Sequence, residues 1–259
     1  MSIYREYASV YDRSGQLAFS ERMIPYLASV LERHPTRHGA MLDLACGTGT
    51  VAIALALQGW QVIGVDQSAD MLHEARIKQE ALGSALAPSA IRWQQADMRT
   101  FALDQRVSLA TCLYDSLNYM LCEADLAAVF AHVSGALDPG GLFLCDMNTA
   151  YALENYWDEG AWVTDNPDMT VIMASSHDYE RHRSTVQVTC FERVDALYRK
   201  IQETHVEQAY PVEHISTLMR DAGLQVEAVY RCFTLNRPDE VTPRAFWVAR
   251  KPGLPGAAS

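Results

Sequence analysis

From Gln16 to Glu32 the apolar positions Met23, Ile24, Leu27, Val30 and Leu31 recur at helical spacing, with Pro25 as a kink or a break. A polar link, Arg33 to Gly39, follows. Short apolar runs then alternate with helical ones. Ala40–Ala45, Gln61–Val65, Ala90–Gln95, Val107–Leu113 and Leu142–Met147 read as strands. Helices are predicted over 49–58, from the N-cap Ser68 to about Leu82, and along the stripe Leu126, Val129, Phe130, Val133, Leu137. Asp138-Pro139-Gly140-Gly141 reads as a turn. Apolar strands alternating with helices imply a parallel sheet covered on both faces.

Past residue 150 the period shortens. Val186, Val188 and Cys190 alternate with Thr185, Gln187 and Thr189, which predicts antiparallel strands. A helix returns at Pro211, Ile215, Leu218, Met219 and Ala222, stopped by Gly223, and two strands close the chain at about 225–233 and 245–250. The expected organisation is a helical segment over 1–39 covering a cofactor and a core of 40–150 with 211–250. An antiparallel β insertion over 151–210 follows strand five, and 251–259 is a flexible tail. The fold class is α/β.

The chain has 259 residues, 49% of them hydrophobic, enough for one large domain carrying an insertion. Its net charge of −11, with no Lys/Arg run, argues against nucleic acid as a partner. The six cysteines show no CxxC or metal-ligand spacing, so no metal is expected, and Cys112 and Cys145 read as buried thiols. No apolar run reaches the ~20 residues a bilayer span needs. No signal peptide is evident, so the cytoplasm is the expected compartment. Oligomeric state stays open, a dimer included.

Candidate chemistry concentrates where strand one breaks off. Met41-Leu42-Asp43-Leu44-Ala45-Cys46-Gly47-Thr48-Gly49-Thr50 reads as strand, two-glycine loop and helix start. Glycines let the backbone turn sharply and approach a ligand, and free N–H groups of the helix start face the same space. That order makes a nucleotide site. Gly47 to Ala52 formally satisfies the dinucleotide fingerprint, with Asp66 near the ribose spacing, so an NAD(P)-dependent oxidoreductase is one reading. Against it stand Asp43 inside strand one and a second acid, Asp97, after strand three. A helix and two strands also stand where a second mononucleotide half would be.

Leu42 to Gly49 resembles the first motif of class I S-adenosylmethionine-dependent methyltransferases. Asp66 matches that family's acid at the end of strand two, and Ala96-Asp97-Met98 its adenine-side motif. Thr111 to Tyr119 is similar to the motif after strand four in bacterial small-molecule members, the sugar N,N-dimethyltransferase and glycine/sarcosine-type branches. The resemblance covers roughly residues 38–150 and 211–250. It implies a Rossmann-like seven-stranded sheet, mostly parallel with one antiparallel strand. It also implies S-adenosyl-L-methionine as cofactor. Asp66 would accept both ribose hydroxyls and Asp97 the adenine amine. Ala45, Gly47 and Gly49 would line the aminoacyl tail and Asp43 would orient the loop or meet the tail's ammonium. Gln67 and Met71 would flank ribose and purine, the Met98 N–H would donate to the ring, and Leu113 is a further cofactor-binding candidate. An N-terminal Tyr-Asp segment, here Tyr11-Asp12, folds over the donor in that family.

Methyl transfer from a sulfonium is an in-line displacement, so alignment and a dry site matter most, and no obligatory triad or metal is expected. Tyr11, Tyr114 and His205 are the candidate catalytic residues. Tyr11 would approach the methyl group, and Tyr114 follows strand four at the ligand-binding edge of the sheet. His205 shares a strand face with Ile201 and Glu203 and would be a base from a lid. Tyr114, Asp115, Asn118, Tyr119, Trp162 and His205 are the candidate contacts to a small-molecule acceptor, with nitrogen favoured over oxygen. A non-catalytic protein that binds the donor remains an alternative at this point.

Overall fold

The computed structural model describes residues 3–253. The expected tail therefore lies, from Leu254 on, outside the described residues. Helices α1 (Ala8–Tyr11) and α2 (Leu17–Arg33) precede β1 (Ala40–Leu44). Then follow α3 (Thr50–Leu57), β2 (Gln61–Asp66), α4 (Ala69–Ala81), β3 (Ile91–Gln95) and β4 (Val107–Cys112). α5 (Glu123–Ala136) and β5 (Leu137–Asn148) lead to α6 (Ala150–Asn155) and a run of four strands. These are β6 (Gly160–Asn166), β7 (Met169–Asp178), β8 (Arg183–Val194) and β9 (Leu197–Gln208). α7 (Val212–Asp221), β10 (Gln225–Arg231) and β11 (Arg244–Arg250) end the fold.

Seven strands form one sheet in the order β10-β11-β5-β4-β1-β2-β3. β1 to β5 are mutually parallel where they pair, and β11 runs antiparallel to both β5 and β10. β11 fits there because the loop 232–243, which contains no crossover helix, returns the chain from β10. Strand direction sends alternate side chains to opposite layers. Leu42 and Leu44 pack with Phe130, Val133, Ile215 and Trp247 from α5, α7 and the sheet. Met41 packs with Met23, Leu27 and Leu55 of α2 and α3, and with Phe246. Each such fully buried side chain contributes about 1.5–3 kcal/mol relative to exposure.

The order of the sheet reverses between β1 and β4, so the connections leaving their carboxyl ends diverge and open a crevice. The four strands β6-β7-β8-β9 form a separate antiparallel sheet. Its apolar face does not join the main core. Val171, Val186, Val188, Cys190 and Ile201 pack instead on Tyr7 and Val10 of the N-terminal segment. This second sheet and α1 thus stabilise each other over the crevice.

Three local expectations change. α2 runs unbroken through Pro25. α6 has no helical stripe in the sequence; Thr149 caps it, its hydroxyl accepting the Ala152 N–H at 3.3 Å. Asp138–Gly141 interrupts pairing within β5 rather than preceding it: Val107 pairs with Leu137, but Leu109 pairs with Leu142. Gly140 absorbs the irregularity at φ +82°. Ser68 does cap α4, its hydroxyl accepting the Met71 N–H.

Candidate active site

Two adjoining cavities occupy the crevice. The first lies at the tips of β1, β2 and β3. Ala45 and Gly47 take left-handed backbone there, with φ of +56° and +54°. A Cβ on Gly47 would meet nothing within 4 Å, so bare backbone faces open space. Asp66 supports this turn from β2. Its Oδ2 accepts the Gly47 N–H at 2.9 Å and its Oδ1 the Ser68 N–H at 2.8 Å. Burial pushes the Asp66 carboxyl up, and the backbone donors oppose that. Each oxygen keeps a lone pair for a ligand hydroxyl.

Asp43 is buried behind the loop and accepts from the Thr111 hydroxyl at 2.7 Å. Burial pushes its carboxyl up to about 7. Asp43, Ala45, Gly47, Asp66, Gln67, Met71, Asp97, Met98 and Leu113 all line this cavity. Gly49 does not. Its absent Cβ would lie 2.5 Å from the Trp93 ring and 3.0 Å from Ala75 Cβ, so Gly49 lets α3 pack against β3 and α4. Asp97 sits at the rim, where Arg99 grips it at 2.6 Å and holds its carboxyl below the usual range. Arg99, which also lines the cavity, was invisible as a site residue because nothing in its spacing marks it.

The N-terminal segment closes this cavity from above. The Tyr4 carbonyl accepts from the Ser68 hydroxyl at 2.7 Å. Asp12 binds the Thr48 hydroxyl and Lys78 Nζ, both at 2.7 Å. Glu203, on β9, accepts the backbone N–H groups of Tyr4, Arg5 and Tyr7 at 2.7, 3.0 and 3.4 Å. Tyr11 lies beneath, edge-on to Tyr4 and Tyr7 with ring centroids 5.7 and 5.9 Å away. Burial pushes its phenol well up, so it stays neutral.

The second cavity lies between this segment, the end of β4 and the second sheet. Tyr4, Tyr11, Tyr114 and Tyr119 line both cavities and so form their shared wall. Tyr114 and Asp115 adopt consecutive left-handed conformations, φ +59° and +50°, which are costly for such residues. The Asp146 carboxylate of β5 holds that turn by accepting both N–H groups, at 2.8 and 3.2 Å. Phe19 stacks on Tyr114 at 4.1 Å, and the Tyr114 hydroxyl donates to Gln16 at 2.6 Å. His205 is buried, with Nδ1 3.0 Å from the Tyr119 hydroxyl and its ring 4.9 Å from that of Tyr4. Burial lowers its pKa, so the imidazole is neutral near pH 7. Trp162 and Asp115 also line this cavity.

Asn118 does not. It is fully buried, its amide donating to the carbonyls of Asn148 and Gln208 and its oxygen accepting the Asn148 N–H. It stitches β5 to β9. Besides Asp146, which holds the Tyr114 turn, two residues that line this cavity were not singled out from the sequence. Arg244 reaches in from β11 to Asp115 at 2.6 Å and Asp146 at 2.5 Å. Glu207 lines the cavity from β9 and accepts from Asn148 Nδ2 at 2.8 Å. The alternation that places Glu203 and His205 on one face carries on to Glu207, so a signal existed. Arg244 lies 129 residues from its partner Asp115 and had none.

A methyltransferase-domain family profile matches residues 41–141. A Bacillus subtilis (strain 168) protein bearing the name methyltransferase is 28% identical over 250 residues, 96% of this chain and 97% of that one. The dTDP-3-amino-3,6-dideoxy-alpha-D-glucopyranose N,N-dimethyltransferase of Streptomyces fradiae is 32% identical over 143 residues, 54% of this chain and 52% of its own length. A crystal structure of a methyltransferase from Clostridium acetobutylicum superposes with a TM-score of 0.84 at 24% identity, covering 97% of this chain and 100% of that one. That likeness fixes the fold. None of these findings supports the oxidoreductase reading.

Proposed function

We propose that this chain, which belongs to the class I S-adenosylmethionine-dependent methyltransferases, methylates a nitrogen of a small molecule held in the second cavity. The observation that carries the reading is the shared tyrosine wall, which puts a donor-shaped cleft and an aromatic pocket back to back. The residues of the first cavity suit the donor. Gly47 offers bare backbone to an aminoacyl tail, and Asp66 keeps lone pairs for two ribose hydroxyls. Asp97 and the Met98 N–H would read the purine edge, and Gln67, Met71 and Leu113 would flank it. When bound, S-adenosylmethionine supplies an electrophilic methyl group and its own leaving group.

The chain's residues then have three tasks. Asp43, Ala45 and Gly47 would hold the tail, while the strap of residues 4–12, under the second sheet as a lid, would exclude water. Tyr11, on the shared wall, would offer its ring or phenol oxygen to positive charge at the methyl. Tyr114, Asp115, Tyr119 and Trp162 orient the acceptor, and His205, neutral and bonded to Tyr119, is placed to receive a proton. Nitrogen is favoured over oxygen on two grounds. The Streptomyces fradiae relative is named for N,N-dimethylation of an amino sugar. The cavity is also lined by two acidic side chains, Asp115 and Glu207, and its one arginine is already engaged.

A panel of amino sugars, amino acids and aromatic amines, each with its matched alcohol, tests the reading with methyl-labelled donor. Label is expected on amines. Label on alcohols alone would overturn the choice of nitrogen.

A further inference from the structure

Resting on that reading of the second cavity as the acceptor site, we propose that Glu207 is the anchor for a positively charged acceptor: an ammonium group carried on an aromatic or otherwise flat apolar body. Three carboxyl groups are linked through Arg244 and Asn148, those of Asp115, Asp146 and Glu207, and two of them, Asp115 and Glu207, line the cavity. One cation faces them, Arg244, and both its arms are committed, to Asp115 at 2.6 Å and Asp146 at 2.5 Å. Glu207 is 1% exposed and, among the described residues, meets one neutral donor, Asn148 Nδ2. That amide is itself divided between Glu207 and Asp115. A buried carboxylate with so little compensation is costly to keep charged.

Among the described residues Arg244 is the one cation whose charge is felt at Glu207, and its two arms are held by Asp115 and Asp146. His205 sits two positions away on the same strand face, but its Nδ1 is on Tyr119 and its Nε2 lies 3.7 Å from Glu203. Tyr4 and Tyr119, also beside Glu207, are neutral phenols. Among the described residues no three His, Cys, Asp or Glu side chains converge as metal ligands do. The side chains around the opening instead suit an organic cation. Tyr7, Trp157 and Trp162 line the cavity with aromatic side chains, and Met173 and Val188 with apolar ones.

Burial and the nearby Asp115 raise Glu207 above the usual carboxylate range, which favours its protonated form while no cation is bound. An arriving ammonium takes the place of that proton: the Glu207 O–H breaks, the proton leaves to solvent, and the carboxylate pairs with the cation. Glu207 is a positioning residue in this scheme, and it selects amines over alcohols before any chemistry begins.

The test uses the full chain saturated with S-adenosylhomocysteine and two probes of nearly one shape, benzylammonium and benzyl alcohol. Titration calorimetry is expected to show benzylammonium binding at least tenfold tighter than the alcohol, with proton release visible in buffers of different ionisation heat. In Glu207→Gln, which keeps an acceptor for Asn148, the preference and the proton release are both expected to vanish while affinity for S-adenosylhomocysteine stays within twofold. No preference in the unmodified protein, binding of neither probe, or a preference that survives in Glu207→Gln would each overturn the proposal. Failure of the methyltransferase reading looks different, because S-adenosylhomocysteine itself would then not bind.

Discussion

The two cavities are built by opposite methods. The glycine-loop side of the first cavity, the proposed donor site, is made of backbone and short-range partners: Gly47, Asp66 and Ser68 all lie within 22 residues of one another and meet through N–H groups. The acceptor cavity is made of side chains from five distant places, namely residues 4–19, 114–119, 157–162, 173–207 and Arg244. One is a loop geometry that many sequences can satisfy if two glycines and two acids are kept. The other is a polar network in which each member is stabilised by the next. The donor side should therefore tolerate change locally and fail locally, whereas the acceptor side should fail as a unit.

The harshest way to break that contrast is Arg244→Leu. It would leave Asp115 and Asp146 buried together without a cation, and a loss of about 3–5 kcal/mol of stability is expected in denaturant titration. A cost near zero would show that the network is not held as a unit. On the donor side, Asp43 sharpens the contrast through pH. Its folded value, about 7, lies above its ordinary 3.8, so the native state binds the proton more tightly. The stability this group provides is whole below about pH 4 and is lost as pH rises through about 7. Asp43→Asn should flatten that fall and leave the variant up to about 4 kcal/mol more stable at pH 8, read from melting curves across pH.

Asp66→Ala should cost less stability but remove two charge-assisted bonds to ribose. S-adenosylhomocysteine affinity is expected to drop at least ~100-fold by calorimetry, about 2.7 kcal/mol. An unchanged affinity would dissolve the donor assignment. Tyr11→Phe keeps the ring on the shared wall and removes only the hydroxyl. A fall in kcat of about threefold to tenfold, about 1 kcal/mol, is expected with donor affinity unchanged.

The same contrast explains what could be read from the sequence. The parallel sheet was legible because its strands are apolar runs and its helices carry stripes, and both signals are local. The cleft at Gly47 and Asp66 was legible because strand ends, glycines and acids follow in fixed order. Gly49 was misplaced since its motif position cannot distinguish a backbone facing a ligand from one facing Trp93. Asn118 was misplaced because its partners, Asn148 and Gln208, lie 30 and 90 residues away. Arg244 and Asp146 were missed for the same reason. Glu207 was missed although strand alternation reached it, because a carboxylate on a lid strand reads by default as a solvated one.

Glu203 carries a consequence for timing. One side chain of the second sheet grips three backbone N–H groups of the strap, at Tyr4, Arg5 and Tyr7, so the strap cannot swing away while that grip holds. Spent donor leaves only after both pieces have let go. Turnover would then be paced by departure rather than by bond exchange. Its kinetic signature would be a rapid first round of product followed by a slower steady rate that thickening the solvent slows further.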